Sequence, residues 1–184
     1  MKNRTSSEQR QSKRLLADGM LGRLARWLRV LGYDTAFDPV AEDWALIRRA
    51  RSEGRVLLTR DRQLAARRGV SALLIEDEEL AGQVRQVVET IGPSPTGAFT
   101  RCSVCNRRLA PLSREEARNR VPPHVYRTQQ EFRLCPACGR VYWRGTHWEH
   151  MKEILGDWRD LTLPDDRSIM EASSAGNPSG SGEA

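Results

Sequence analysis

The sequence predicts an α/β fold, with a mainly parallel sheet and flanking helices, followed by a small cysteine-rich module. Short apolar runs at residues 15–17, 33–37, 56–59 and 72–75 have the length and composition of buried strands. Apolar side chains recur at helical spacing over residues 20–31, 44–50, 63–66 and 80–91. Strands that alternate with helices in this way imply βαβ units and a parallel sheet.

Changes in composition divide the chain into five parts. Residues 93–97 are rich in Pro, Ser, Thr and Gly, which is typical of a linker, and the end of the chain lacks core-forming residues. Because the α/β domain is small for its class, we expect the cysteine-rich module to add to its core. The predicted divisions are a flexible arm at 1–13, the α/β domain at 14–92, the linker at 93–97, the module at 98–151 and a C-terminal extension at 152–184, disordered from about residue 164.

Charge and hydropathy indicate the class of partner. The 184 residues carry a net charge of +6, and the pI is about 9.6, which favours a polyanion such as nucleic acid. No apolar run approaches the roughly 20 residues that span a bilayer, and the polar N-terminus lacks a secretory h-region, so we predict no membrane partner and a cytoplasmic location. In such a chain we expect the four cysteines to form no structural disulfides.

The cysteine spacing predicts a structural zinc site. Two Cys-x-x-Cys pairs are present, and the second continues into a glycine that lets the backbone amides turn toward sulfur. Two such pairs complete a tetrahedral Zn²⁺ site, which leaves no open position for a catalytic water. The chain between the pairs is long, so residues 113–130 must leave the site and return. The predicted ligands are Cys102, Cys105, Cys135 and Cys138.

Two predicted strands end in an aspartate. Asp18 follows residues 15–17, and Asp61 follows residues 56–59 between Arg60 and Arg62. In an open α/β sheet the chemistry gathers at the carboxyl ends of the strands. If the sheet brings Asp18, Asp43 and Asp61 together, their mutual repulsion calls for a divalent cation, and Mg²⁺ or Mn²⁺ suits carboxylate oxygens.

This acidic site has a plainer alternative. An aspartate at a strand-to-helix turn is more often a helix N-cap than a ligand, and Asp18 and Asp61 are both placed for that role. Asp43 is the weakest of the three acids, because it also stands where a helix should begin. Glu42, Asp34 and Asp38 are its rivals.

Basic and aromatic side chains supply candidates for binding a polyanion. Arg23, Arg26 and Arg29 lie opposite the apolar side of the first helix, where they form either a solvated face or a phosphate-binding one. In the cysteine-rich module, Trp143 is expected to pack the small core. Three other side chains either stack on single-stranded RNA or have only a packing or surface role; they are Tyr142, His147 and Trp148.

An ordered series of motifs resembles the Mut-seven C-terminal RNase family. In the α/β domain these are residues 16–29, 31–34 and 57–61, which include Asp18-Gly19-Met20-Leu21-Gly22 and Leu58-Thr59-Arg60-Asp61. In the module they are residues 101–106, 121–122, 135–138 and 142–147. The resemblance covers about residues 14–151 and implies a PIN-like nuclease domain followed by a zinc ribbon.

The resemblance also implies site residues. A metal-dependent ribonuclease would carry PIN-type acids on Asp18 and Asp61, and Asp43 resembles the acid that opens the helix before the last catalytic strand. PIN nucleases usually have one further acid, for which Asp34 and Asp38 are the candidates.

Two functions of different classes follow. We favour a ribonuclease, with endonucleolytic cleavage expected, in which Asp18, Asp43 and Asp61 hold Mg²⁺ or Mn²⁺ and Arg23, Arg26 and Arg62 bind phosphate. Its substrate would be RNA, with tRNA and rRNA as candidates. The alternative is a non-catalytic RNA- or ribosome-binding zinc-ribbon protein, which the basic charge and the aromatic residues would serve equally well.

Overall fold

The α/β domain is built on a four-stranded parallel sheet, which confirms the predicted fold class. The computed structural model describes residues 13–94 and 96–145. The spatial order of the strands is β2-β1-β3-β4. Every neighbouring pair is parallel. The strands are β1 (Arg14–Ala17), β2 (Thr35–Phe37), β3 (Arg55–Thr59) and β4 (Ala72–Leu74).

Helices cover both faces of this sheet. Alternate side chains of β1 point to opposite faces, so that Leu15 packs in one apolar cluster and Leu16 in another. Leu24 and Val84 belong to the first cluster, which places their helices on one face; Leu46 belongs to the second. The helices are a short 3₁₀ helix (Gly19–Leu21), α1 (Gly22–Val30), α2 (Asp43–Glu53), α3 (Arg62–Ala65) and α4 (Leu80–Ile91).

Two glycines bring the end of β1 close to the end of β2. A Cβ atom on Gly22 would lie 2.9 Å from the ring of Phe37, and one on Gly19 would lie 2.9 Å from the carbonyl oxygen of Pro39. Any larger residue would therefore push the two segments apart. These glycines position Asp18, which comes immediately before the first of them.

The cysteine-rich module is a separate three-stranded antiparallel sheet of order β5-β6-β7. The chain between β5 and β6 forms two short helices, which accounts for the predicted excursion between the cysteine pairs. Trp143 packs against the small core of this module, as predicted. The elements are β5 (Ala110–Leu112), α5 (Arg114–Ala117), α6 (Pro123–Thr128), β6 (Phe132–Leu134) and β7 (Val141–Tyr142).

Polar contacts join the module to the α/β domain. The buried Arg29 of α1 donates from Nε to the carbonyl oxygen of Thr35 at 2.8 Å and from Nη1 to those of Ser103 and Val104 at 3.1 and 2.7 Å. Each unit has its own apolar clusters among the described residues, so the expectation that the module adds to the α/β core is wrong.

No helix in the described ranges is long and apolar enough to span a membrane. The predicted arm up to residue 12 lies outside those ranges. So do the predicted C-terminal extension and two side chains considered above, His147 and Trp148.

Candidate active site and metal centre

A buried hydroxyl connects the two aspartates that follow β1 and β3. The side chain of Thr59, which is fully buried, donates a hydrogen bond to Oδ2 of Asp18 at 2.7 Å. Oγ1 of Thr59 in turn accepts the backbone N–H of Asp61 at 3.0 Å. Because β1 and β3 are paired in the sheet, the two aspartates stand at neighbouring strand ends on its carboxyl edge. Sequence reasoning treats Thr59 only as the last residue of a strand and misses this role.

The two aspartates differ in whether their side chains cap a helix. Oδ1 of Asp61 accepts the backbone N–H groups of Gln63 and Leu64 at 2.6 and 3.0 Å, so capping of α3 is part of its role. Asp18 occupies the N-cap position of the 3₁₀ helix, but its side chain makes no capping hydrogen bond. Its carboxylate is held by Thr59 instead. The capping alternative therefore explains Asp61 in part and leaves the orientation of Asp18 unexplained.

Asp38 and Asp43 follow the neighbouring strand, β2. Ala17 pairs with Phe37 in the sheet, so Asp18 and Asp38 are the next residues along adjacent strands. Oδ1 of Asp38 accepts the backbone N–H of Val40 at 3.2 Å. Asp43 is exposed and is the first helical residue of α2, with Glu42 at the cap position.

The acids are spread along the edge rather than packed into one tight group. Among the described residues, the only set of three or more His, Cys, Asp or Glu side chains with ligand atoms all within 4.8 Å of one another consists of cysteines. The participation of Asp43 beside Asp18 and Asp61 stays a prediction.

Asp34 lies at the opposite edge of the sheet, because it precedes β2 whereas Asp18 follows β1. Its carboxylate is 2.8 Å from Nη1 of Arg55 and 3.3 Å from Nη2 of Arg101, and it accepts a hydrogen bond from Asn106 at 2.8 Å. Burial would raise the pKa of Asp34, but the bonds from Arg55 and Asn106 outweigh it and hold the pKa below its usual range. Asp34 thus joins the two units, and of the two candidates for a further acid only Asp38 lies at the carboxyl edge.

The candidate phosphate-binding arginines fall in two places. Arg62 is exposed next to Asp61, with a long 3.9 Å contact to Glu76. Arg23 and Arg26 line a cleft between α1 and the cysteine-rich module. Arg29 is buried against carbonyl groups, so both interpretations of it from the sequence, as a solvated or a phosphate-binding residue, are wrong.

The four cysteines meet at one point, with all their sulfur atoms within 4.8 Å of one another. Sγ of Cys102 lies 3.6 Å from that of Cys138, and Sγ of Cys105 lies 3.4 Å from that of Cys135. Both distances far exceed a disulfide bond of about 2.05 Å. They approach the separation of about 3.8 Å that follows from tetrahedral Zn–S bonds of about 2.3 Å.

The backbone around the cysteines favours a metal centre. Asn106 and Gly139 follow the two pairs at equivalent positions, and both have positive φ, 65° and 70°. This left-handed conformation suits Asn and Gly, and it lets each knuckle turn back on itself. Hydrogen bonds from the backbone and guanidinium of Arg140 lower the pKa of the Cys138 thiol to about 6, whereas burial raises the pKa of the Cys105 thiol to about 12. Metal binding requires that all four thiols lose their protons, so the case for a metal rests on the geometry. The donor set and the spacing are compatible with Zn²⁺.

Fold and site together define a small parallel α/β domain with carboxylates at its carboxyl edge, joined to a four-cysteine ribbon. The family model of the Mut7-C RNAse domain matches residues 13–155, which is well over half of the chain. The chain therefore belongs to the Mut7-C RNAse domain family, and its role is ribonuclease-like. No curated protein and no solved structure gave a significant match.

Proposed function

We propose that the protein is a divalent-metal-dependent ribonuclease whose reaction centre lies at the carboxyl edge of the parallel sheet. The observation that carries this proposal is the Thr59 hydroxyl, which donates to Asp18 and accepts from the backbone of Asp61. This buried group holds the carboxylate of Asp18 directly and the backbone of the turn that carries Asp61, as the groups behind metal ligands commonly do.

The residues at this edge fit a hard cation. Asp18 keeps Oδ1 free of hydrogen bonds to described residues, and Asp61 likewise keeps Oδ2. Mg²⁺ is commonly held by one or two carboxylates together with water and substrate phosphate, so these two oxygens suffice as protein ligands. When bound, such an ion activates water and neutralises charge on the leaving oxygen of a phosphodiester.

The remaining groups act around this pair. Asp43 and Asp38 follow the adjacent strand, where their carboxylates would bind a second ion or orient water. Arg62 is exposed beside Asp61, and its guanidinium would hold a phosphate oxygen of the RNA. The four cysteines hold Zn²⁺ as a closed structural site, since no ligand position is left for water.

The test is cleavage of a single-stranded RNA by Asp61→Asn in the presence of Mn²⁺ or Mg²⁺. Asparagine keeps the side-chain oxygen that caps α3, so the fold should survive while the charge is lost. Cleavage should fall to background. Asp77→Asn is the matched control, because Asp77 is an exposed acid that caps its own turn after β4, and this variant should keep its activity.

The same assay separates this proposal from an RNA-binding protein without catalysis. Undiminished metal-dependent cleavage by pure Asp61→Asn protein would remove the assignment of the site. Salt-sensitive RNA binding with no turnover by the unmodified protein, in any divalent cation, would favour the non-catalytic function instead.

A further inference from the structure

A cleft of about 670 Å³ separates α1 from the cysteine-rich module. One wall is a stripe on α1 formed by Arg23, Arg26, Trp27 and Val30, which are spaced at i, i+3, i+4 and i+7 and so share one face of the helix. The other wall comes from the first cysteine knuckle, from α6 and from β7. Its main side chains are Ser103, His124, Val125, Thr128, Tyr142 and Trp143.

The lining combines cationic and aromatic groups. Arg23 and Arg26 are exposed, and neither forms an ion pair with any residue in the described ranges. Trp27 and Trp143 are partly buried in the cores behind them, so each presents a fixed edge or face to the cleft. Guanidiniums beside aromatic rings are the combination that binds the phosphates and the bases of single-stranded nucleic acid.

A second basic surface lies on α2, around Trp44, Arg48 and Arg51. There Arg48 and Arg51 already have intramolecular partners. Arg48 stacks on Trp44 at 4.9 Å from the ring centre, and Arg51 donates to the carbonyl oxygens of Gly69 and Arg68. The cleft differs in that its guanidiniums lie beside two tryptophans, Trp27 and Trp143, on which no described arginine is stacked.

The cleft begins near the proposed reaction centre. Asp18 leads directly through the 3₁₀ helix into α1, and Arg23 lies in the first turn of that helix. From Arg23 to Val30 the stripe extends about 10 Å along the helix axis, at 1.5 Å per residue. A strand of RNA with its scissile phosphate at Asp18 could therefore continue along this wall. The cavity has the size of a pocket that encloses a drug-sized ligand, which corresponds to one or two nucleotides and excludes a duplex.

We propose that this cleft binds unpaired nucleotides next to the scissile phosphate of single-stranded RNA, with Arg23 and Arg26 on phosphates and Trp27 and Trp143 against bases. The proposal rests on the proposed function for its orientation, but the binding itself does not need catalysis. It makes the enzyme specific for single strands, and it assigns the cysteine-rich module a direct role in holding substrate.

The test measures binding of labelled oligouridine by fluorescence anisotropy without divalent cations, so that no cleavage occurs. The double variant Arg23→Gln/Arg26→Gln removes two phosphate contacts. For single strands each contact contributes about 0.7 to the slope of log K against log salt, so the slope should fall by about 1.4 and affinity at 0.1 M salt by about 25-fold. Arg118→Gln/Arg120→Gln is the matched control with the same loss of charge on exposed residues outside the cleft. Equal losses in the two variants would overturn the proposal.

Photocrosslinking with an oligonucleotide that contains 4-thiouridine shows independently where the RNA lies on the protein. Crosslinks should map to residues 23–30, 124–129 and 141–145. Crosslinks confined to residues 44–68 would overturn the proposal. So would the finding that residues 146–184 of the same chain occupy the cleft and exclude RNA from it. Cleft-dependent binding by a protein that never cleaves RNA would refute the nuclease assignment and leave this site standing.

Discussion

Replacing Thr59 by valine removes the hydroxyl that connects the two aspartates and changes little else. Valine has nearly the shape of threonine, and position 59 is fully buried, so the packing of β3 is preserved. The variant loses the hydrogen bond donated to Asp18 at 2.7 Å and the one accepted from the backbone of Asp61 at 3.0 Å. Thr59→Ser keeps the hydroxyl and is the matched control.

The size of the effect follows from these two bonds. A hydrogen bond to a charged group contributes about 1.5–3 kcal/mol, and one between neutral groups about 1 kcal/mol. Thr59→Val should therefore lower the free energy of unfolding by about 2.5–4 kcal/mol. Loss of a group that orients a metal ligand typically lowers metal affinity or activity 10- to 100-fold. We expect a loss of that size in Mn²⁺ affinity, larger than the small effect of Thr59→Ser.

Isothermal titration calorimetry with Mn²⁺ measures the affinity, and urea unfolding at 25 °C measures the stability. A Thr59→Val protein that loses about 2.5–4 kcal/mol of stability but binds Mn²⁺ as tightly as the unmodified protein would refute the reasoning. In that case the hydroxyl would serve the fold alone.

Two further predictions concern the junction and the cysteines. The pKa of Asp34 is lowered in the folded state, so its ion pairs stabilise the protein fully above the unfolded value of about 3.9, and this stability is lost as the pH falls through the folded pKa. Asp34→Asn should lower the unfolding free energy by about 2 kcal/mol at pH 7 and by less near pH 3.5. Urea unfolding at the two pH values measures both losses. An equal loss at both would contradict the assignment of a stabilising role to the ionised Asp34 carboxylate. Cys138→Ser should abolish binding of one zinc ion per chain and unfold the ribbon. A colorimetric zinc assay measures the first effect and circular dichroism the second. Retained zinc would show that the four sulfurs do not act as one site.

The arrangement of strands and helices follows closely from the sequence, because each strand is a short apolar run and each helix has a clear apolar stripe. The strand ends also follow, since Asp18 and Asp61 come directly after such runs. Boundaries shift where long-range contacts decide them. Tyr33 has the composition of a strand residue, yet it lies outside β2 because its backbone N–H donates to the carbonyl oxygen of Leu28 in α1, at 2.9 Å, instead of joining the sheet.

What the sequence does not predict depends on contacts between distant segments. Arg29 looks like a surface residue in the helical pattern, but carbonyl groups of a knuckle more than 70 residues away accept its hydrogen bonds. Asp34 looks like a possible metal ligand until its place at the amino end of β2 and its two arginine partners are known. Composition and spacing carry no information about such pairings.

The most direct test of the central claim is whether Asp18 and Asp61 hold the same ion. Mn²⁺ affinity should be measured calorimetrically for Asp18→Asn, Asp61→Asn and the double variant. Ligands of one ion are coupled, so the double variant should lose little more affinity than either single one, with a coupling free energy within about 0.5–3 kcal/mol. Losses that simply add, or a single variant that binds Mn²⁺ like the unmodified protein, would contradict a shared metal site.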